Sequence, residues 1–206
     1  MNKNKTTLCV CFVAFLVNAV LFFVKLYIGL RTNSISIYSD SLNNLFDSLS
    51  GLLTLVSLIL IVRKAASSEE IIKRSEQLFS FVMSVAVALA GFYFAYSSLE
   101  RLMYPAPVWY TPLYLVMLAV TAAVKIFLFF FYRTFYKKTA SPVIKVMSVD
   151  SILDFFITAV TVLTLYISGK GSFSFDAIFG ILISVLIIVS AVKLIISNAK
   201  EIIGFT

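Results

Sequence analysis

The chain has 206 residues, of which 61% are hydrophobic and only 13% are charged. Soluble domains carry roughly 45–50% apolar and about 25% charged residues, so the composition excludes a water-soluble fold and makes lipid the expected solvent. The net charge of +7 lies on basic residues between apolar runs. Without a basic-aromatic patch, this charge indicates orientation in a membrane and not a nucleic-acid partner.

Six apolar stretches follow one another along the chain, each long enough to span a bilayer at about 20 residues or more. They predict helices at roughly 7–30, 35–62, 78–99, 110–131, 143–167 and 173–196. The first follows Lys3 and Lys5 as a signal peptide would, but it is too long and has no small-residue cleavage site, so we expect a retained helix. The prediction is one all-α integral membrane domain over residues 1–206, a six-transmembrane-helix bundle.

Positive charge is concentrated on one side of the predicted bundle. The basic residues of that side are Lys3, Lys5, Arg63, Lys64, Lys73, Arg74, Arg133, Lys137, Lys138, Lys145, Lys193 and Lys200. The opposite side has little beyond Lys25, Arg31, Arg101 and Lys170. We therefore expect a multi-pass protein of the plasma membrane with both termini in the cytoplasm.

The aspartates carry the functional prediction. Each glutamate lies in a connection or near a helix end, whereas each aspartate lies in or at the edge of a predicted helix; these are Asp40, Asp47, Asp150, Asp154 and Asp176. A charged side chain at bilayer depth costs roughly 2.5–3.5 kcal/mol or more. Such residues indicate a polar cavity, a bound ion or a path for protons.

Two pairs of polar residues share the same spacing. Asn43 and Asp47 are four residues apart in the second helix, and Asp150 and Asp154 are four apart in the fifth, so each pair lies on one helix face. With these helices side by side, four oxygen-bearing groups would surround one point. Three carboxylates in a low dielectric need a divalent cation or protons to compensate their charge.

A structural alternative remains open for the aspartates. They would then only satisfy helix ends or pair with Lys25 and Lys125. Lys25 is near a helix end and is expected to snorkel to the interface, while Lys125 either counters an acid or snorkels as well. Asp40 and Asp176 are secondary candidates for a hydrated access path or for support of the site, with a helix-end role as the equal alternative.

The ligand chemistry favours hard cations. Oxygen ligands suit Mg²⁺, Ca²⁺ and Mn²⁺, with Fe²⁺ possible. Zinc normally takes His or Cys ligands. The chain has no histidine, and its two cysteines, Cys9 and Cys11, are expected to face lipid or to pack against other helices.

The segments around these pairs resemble signature segments of the cation diffusion facilitator family. Residues 33–47 (NSISIYSDSLNNLFD) are similar to the family's second-helix signature, and residues 147–154 (MSVDSILD) to its fifth-helix signature. Residues 175–180 (FDAIFG) resemble the start of the sixth helix, and Arg74-Ser75-Glu76 resembles the remnant of a motif that follows the second. The resemblance implies metal ligands at Asn43, Asp47, Asp150 and Asp154, a combination associated with manganese members.

The resemblance also implies an activity. It predicts a divalent metal exporter that works as a metal/proton antiporter by alternating access, with Mn²⁺ favoured, no resident cofactor and a homodimeric state. The family's histidine-rich segment is missing, and the chain ends at Thr206, where most members continue into a cytoplasmic metal-binding domain. We therefore expect no C-terminal cytoplasmic domain, and dimerisation through membrane contacts if it occurs.

Other functions stay open as alternatives. The same fold could export Fe²⁺, Co²⁺ or Zn²⁺. A passive divalent-cation channel or a structural membrane protein is the alternative of a different class, although the sequence shows neither a pore loop nor a charge ring. An enzyme is not expected, because no nucleophile-base set or phosphate-binding loop is present.

Overall fold

The computed structural model describes residues 3–62, 69–109, 111–168 and 174–203. It contains six α-helices, which are α1 Lys3–Thr32, α2 Ile35–Val62, α3 Glu69–Met103, α4 Pro112–Thr139, α5 Pro142–Ser168 and α6 Ser174–Ile203. No β-strand occurs within these ranges. The predicted all-α architecture with six helices is therefore confirmed.

The helices extend beyond several of the predicted apolar stretches. α3 begins at Glu69 and not at residue 78, so the backbone of Arg74-Ser75-Glu76 is helical where we expected a connection. The polar segment before residue 78 contains Glu, Lys, Arg and Gln, which are good helix formers, so the helix extends beyond the apolar stretch. The predicted connection residues Lys64 and Lys170 lie outside the described residues.

The start of α4 also differs from the prediction. Tyr110, the predicted first residue, is outside the described residues, and the helix begins at Pro112. Thr111 before it has an extended backbone, with φ −138° and ψ 133°. Proline is favoured at the first helical position because its fixed φ suits the helix and its missing N–H would have had no partner there.

Five helices, α1, α3, α4, α5 and α6, are long and apolar enough to cross a membrane. Their outward faces carry large apolar side chains, among them Phe23, Leu89 and Phe127, each about two-thirds exposed. Exposed apolar surface of this extent fits lipid as the surrounding medium. α2 carries Asp40 and Asp47 in its first half and packs against α1, α3, α5 and α6.

The helices form two groups. The most extensive contacts join α1 to α2, α4 to α5 and α3 to α6. α1, α2, α4 and α5 form a four-helix group in which α1 and α5 each contact the other three helices, whereas the α3–α6 pair touches this group through α2 and α5. A cleft between the α3–α6 pair and the four-helix group is thus bounded by α2 and α5, the helices that carry the predicted ligands.

Two apolar clusters close the two ends of the four-helix group. One consists of Val10, Ala14, Leu128, Tyr132 and Ile144. The other consists of Ile28, Ile37, Val108, Leu118 and Leu165. The segments of α1, α4 and α5 between these clusters carry buried polar residues. The fold therefore holds a polar layer between two apolar ones.

Two glycines bring α3 and α6 close together. A Cβ atom at Gly91 would lie 2.8 Å from Cγ1 of Ile188, and one at Gly180 would lie 2.5 Å from Oγ of Ser98. Small residues allow the backbones of membrane helices to approach, because packing rather than water release holds such helices together. The α3–α6 pair is accordingly a tightly packed unit.

Candidate metal-transport site

A cavity of about 620 Å³ lies in the cleft between the two helix groups. All four predicted ligands, Asn43, Asp47, Asp150 and Asp154, line it. Its wall continues along the last part of α2 and α6 and the first part of α3 and α5. Because successive helices alternate in direction, these helix ends lie on the side of the bundle where α1 begins.

Asn43 on α2 and Asp154 on α5 are in direct contact. The side-chain amide of Asn43 donates a hydrogen bond to Oδ1 of Asp154. Asp154 is buried, whereas the side chain of Asp47, one turn further along α2, keeps 24% of its surface exposed. The predicted juxtaposition of the second and fifth helices at these residues is therefore present in the structure.

A lysine ammonium occupies the centre of this group. Nζ of Lys125, on α4, lies 3.1 Å from Oδ2 of Asp47 and also binds Oδ2 of Asp154. It lies 2.8 Å from Oδ1 of Asn18 on α1. Lysine has three N–H donors, and each has an oxygen partner here. Of the two roles open for Lys125, the structure shows that it counters acids.

Asp150 lies apart from this hydrogen-bonded group. It is exposed at the cavity wall, one turn before Asp154 on α5. Across the described part of the chain, no three Asp, Glu or Cys side chains are arranged to hold a metal ion. The structure thus brings three of the four predicted ligands together, and the fourth faces the cavity beside them.

A second buried ion pair lies further from the cavity opening. Nζ of Lys25 is 2.9 Å from Oδ1 of Asp40 and 2.7 Å from Oγ1 of Thr158. Thr161 donates a hydrogen bond of 3.3 Å to the other oxygen of Asp40. These four side chains are fully buried. The prediction that Lys25 snorkels is wrong, because its face of α1 points at α2 and α5, where an acid and a hydroxyl satisfy the ammonium.

The contacts of Asp40 also decide between its two expected roles. Its side chain is 0% exposed and is bound by Lys25 and Thr161. Asp40 has no exposed surface in this conformation and lies beyond the first turn of α2, so of its expected roles only support of the site agrees with these contacts. The structural alternative expected the aspartates to pair with Lys25 and Lys125. The structure shows such pairs for Asp40, Asp47 and Asp154.

Asp176 lies at the far end of the bundle from the cavity. Its carboxylate is 2.9 Å from Nη1 of Arg101 on α3. It accepts hydrogen bonds from the hydroxyl groups of Ser34 and Ser36, at 2.5 and 2.7 Å, and from the backbone N–H of Ile35 at 2.9 Å. A carboxylate from α6 thus caps the first turn of α2, where free N–H groups favour negative charge.

The turn before α2 completes this arrangement. Asn33 has a φ of 54°, in the left-handed region, which ends α1 and reverses the chain. Nη2 of Arg101 donates to Oδ1 of Asn33 at 3.0 Å, and the Asn33 amide donates to the carbonyl of Pro107 at 3.2 Å. The backbone N–H of Trp109 binds the carbonyl of Thr32 at 2.8 Å. This end of the bundle is closed by polar contacts.

Sequence reasoning missed Asn18 as a member of the site. Asn18 is a buried amide in an otherwise apolar stretch of α1, and it has no polar partner four residues away on the same face. Its isolation in an apolar helix was a usable signal, since buried polar groups need partners. The two cysteines do not join the site's hydrogen bonds; Cys9 is exposed and Cys11 buried, and both are free.

Comparison with known families covers nearly the whole chain. The sequence model of one protein family, described as the cation efflux transmembrane domain, matches residues 11–203. No curated protein matches the chain at a significant level. The matched range includes α1 from Cys11 onward, the other five helices, and each of the polar contacts described above.

Proposed function

The chain belongs to the cation efflux transmembrane domain family, whose members are metal-cation transporters and not enzymes, and on that premise we propose that it exports Mn²⁺ from the cytoplasm in exchange for protons. The observation that carries the proposal is the set of side-chain oxygens at the cavity, from Asn43 and Asp47 on α2 and from Asp150 and Asp154 on α5. Their position at the cleft between two helix groups gives a cation access to them.

The choice of Mn²⁺ rests on the chemistry of these groups. Carboxylate and amide oxygens suit hard divalent cations, and Mn²⁺ accepts them together with water. A site for Zn²⁺ would normally include His or Cys, and the chain has no His at all. Fe²⁺, Co²⁺ and Zn²⁺ are the alternative cargoes, with Fe²⁺ nearest to Mn²⁺ in ligand preference.

Alternating access is proposed from the division of the helices into two groups. The α3–α6 pair packs tightly on itself and touches the four-helix group less extensively. A rocking of the pair against the group would close the cavity and open the other end, where Arg101 and Asp176 now hold the helices together. With both termini in the cytoplasm, the conformation described here would receive the metal from inside the cell.

Proton exchange is proposed from the charge of the empty site. Asp47 and Asp154 share the single ammonium of Lys125, so one of their two negative charges has no basic partner in this group, and such a charge is costly at bilayer depth. Protons arriving from outside would compete with the metal for these oxygens and release it. The carboxylates would titrate as a coupled set, so the exchanged proton belongs to the site and not to one residue.

A passive channel is less well supported. Between the cavity and the opposite face lie the buried pair of Lys25 and Asp40 and the apolar cluster that contains Ile28 and Leu165. A channel needs a continuous polar or hydrated path. The layers found in the described residues favour a carrier that must change conformation.

Flux into proteoliposomes tests the proposal. Mn²⁺ uptake by the purified protein should be saturable and driven by an opposing pH gradient. Asp47→Ala or Asp154→Ala should abolish it, because each removes a carboxylate from the cavity. Glu100→Ala, which removes an exposed carboxylate near the end of α3, is the matched control and should leave the flux unchanged. Flux that ignored the gradient and these substitutions would indicate a channel or a different site.

A further inference from the structure

Lys125 raises a question that metal efflux alone does not answer. Its side chain is 1% exposed, and its ammonium lies among the oxygens of Asn18, Asp47 and Asp154. These oxygens come from α1, α2 and α5, and they converge on one positively charged atom. The position where a transported cation would bind is therefore already filled by a cation that belongs to the protein.

We propose that Lys125 is a tethered cation that alternates with the metal: the metal displaces its ammonium from Asp47 and Asp154 on loading, and the ammonium returns when the metal leaves. This inference rests on the proposed function. Asn18 then becomes a further metal ligand, because its Oδ1 is one of the three oxygens aimed at the same point.

Electrostatics requires the two cations to alternate. The ammonium and a divalent ion cannot share these oxygens, since like charges about 3 Å apart repel strongly in a site shielded from water. When the metal is absent, two carboxylates without the ammonium would be buried with no compensation. Lys125 therefore supplies one positive charge against the two carboxylates when the metal-free site passes through a closed conformation.

The structure offers the displaced ammonium a new partner. Tyr132 lines the same cavity, and its hydroxyl group is buried with no hydrogen-bond partner among the described residues. Tyr132 follows Lys125 by seven residues on α4, so the two lie on the same helix face. A hydroxyl oxygen that lacks a donor can accept a hydrogen bond from an ammonium that swings along this face.

Binding of Mn²⁺ alone to the purified full chain tests the exchange. Lys125→Met removes the competing charge and keeps the length of the side chain. Its dissociation constant for Mn²⁺ should be lower by about tenfold or more. Lys137→Met makes the same change at an exposed position of the same helix and should bind as the wild type does. Equal or weaker binding by Lys125→Met would overturn the proposal.

Transport gives a second readout that a merely structural role would not produce. In proteoliposomes, Lys125→Met should retain exchange of Mn²⁺ for Mn²⁺, because the loaded carrier needs no lysine. Net efflux should fall by about tenfold or more, because the empty carrier returns without its counter-ion. A parallel loss of exchange and net efflux would contradict the alternation.

Two further variants keep the test decisive. Lys125→Arg is the variant to use if Lys125→Met does not fold, because it retains the positive charge. Its guanidinium should hold the carboxylates more firmly and so weaken Mn²⁺ binding. Equal or tighter Mn²⁺ binding by Lys125→Arg would refute the proposal. Asn18→Ala in the Lys125→Met background should weaken Mn²⁺ binding, because only its ligand role is left there. Unchanged binding would remove Asn18 from the ligand set.

The wild type separates this inference from the proposed function. A wild-type protein that neither binds nor moves Mn²⁺, Fe²⁺, Co²⁺ or Zn²⁺ would refute the proposed function itself. A wild type that transports Mn²⁺ under a pH gradient, together with a Lys125→Met variant of unaltered affinity, would reject only the alternation of lysine and metal.

Discussion

Arg101 and Asp176 form a buried ion pair, with 2.9 Å between Nη1 and Oδ2, that joins the end of α3 to the start of α6. The same carboxylate binds both hydroxyl groups of Ser34 and Ser36 at the start of α2. One side chain therefore links the α3–α6 pair to the four-helix group at the end away from the cavity. Opening of that end requires these bonds to break.

Removal of one partner of this pair should destabilise the protein. Arg101→Met leaves Asp176 buried without its charge partner, and we expect a loss of about 3–5 kcal/mol in unfolding free energy. The double variant Arg101→Met with Asp176→Asn should recover part of this loss, because no uncompensated charge remains. Unfolding in detergent micelles measures both. A double variant as unstable as the sum of the two single variants would argue against direct coupling.

Asp150→His should shift the cargo preference toward Zn²⁺. Asp150 is exposed at the cavity wall beside the hydrogen-bonded group around Lys125, where an imidazole nitrogen would add a ligand that zinc favours. Initial rates for Zn²⁺ and Mn²⁺ in the same vesicles give the ratio to compare with the wild type. Lys145→His adds a histidine at an exposed position of α5 away from the cavity wall and is the control. An unchanged ratio for Asp150→His would undercut its role as a ligand.

The pair of Lys25 and Asp40 should contribute to stability chiefly as a pair. Lys25→Met leaves a fully buried carboxylate unpaired and should cost about 3–5 kcal/mol. Lys25→Met combined with Asp40→Asn removes both charges and should be less destabilising than Lys25→Met alone. The measurement is again unfolding in detergent. If the double variant unfolds more readily than Lys25→Met, the two residues have separate roles.

Gly91→Ala should loosen the α3–α6 pair. The new Cβ would lie 2.8 Å from Cγ1 of Ile188, so the helices must shift or the isoleucine must leave its rotamer, at a cost of about 1–3 kcal/mol. Gly51→Ala is the control, because its nearest neighbour, the backbone of Phe15, is 3.6 Å away. Thermal unfolding compares the two. Equal effects of both substitutions would contradict the close packing inferred at Gly91.

The number and order of the helices could be predicted because bilayer thickness sets the length of an apolar stretch. The first and last residues of the helices could not be predicted, because a run of apolar residues identifies only the part of a helix that lies in lipid. α3 continues for two turns on the polar side, from Glu69, and α4 continues to Thr139 past the predicted residue 131. At Ala140, a left-handed φ of 54° ends α4. Alanine does not favour this conformation, so the sequence does not predict a helix end there.

The candidate site could be predicted only in part. Asn43, Asp47 and Asp154 could be predicted because a spacing of four residues places the members of each pair on one helix face. Asn18 and Lys125 are single polar residues in apolar helices, and their inward direction depends on how six helices pack. From the sequence we expected a metal or protons to compensate the carboxylates and kept Lys125 as the alternative counter-charge, and the structure shows Lys125 in that place.

The pairing of Lys25 with Asp40 also bears on how the first two helices are inserted into the membrane. A charged side chain costs up to roughly 2.5–3.5 kcal/mol when its helix enters lipid alone, and both Lys25, seven residues before the end of α1, and Asp40 in α2 carry such a cost. Only the two residues Asn33 and Ser34 separate the helices, so the charges can meet soon after synthesis. We expect the first two helices to leave the insertion machinery together as a hairpin, with α1 held back until Asp40 has arrived.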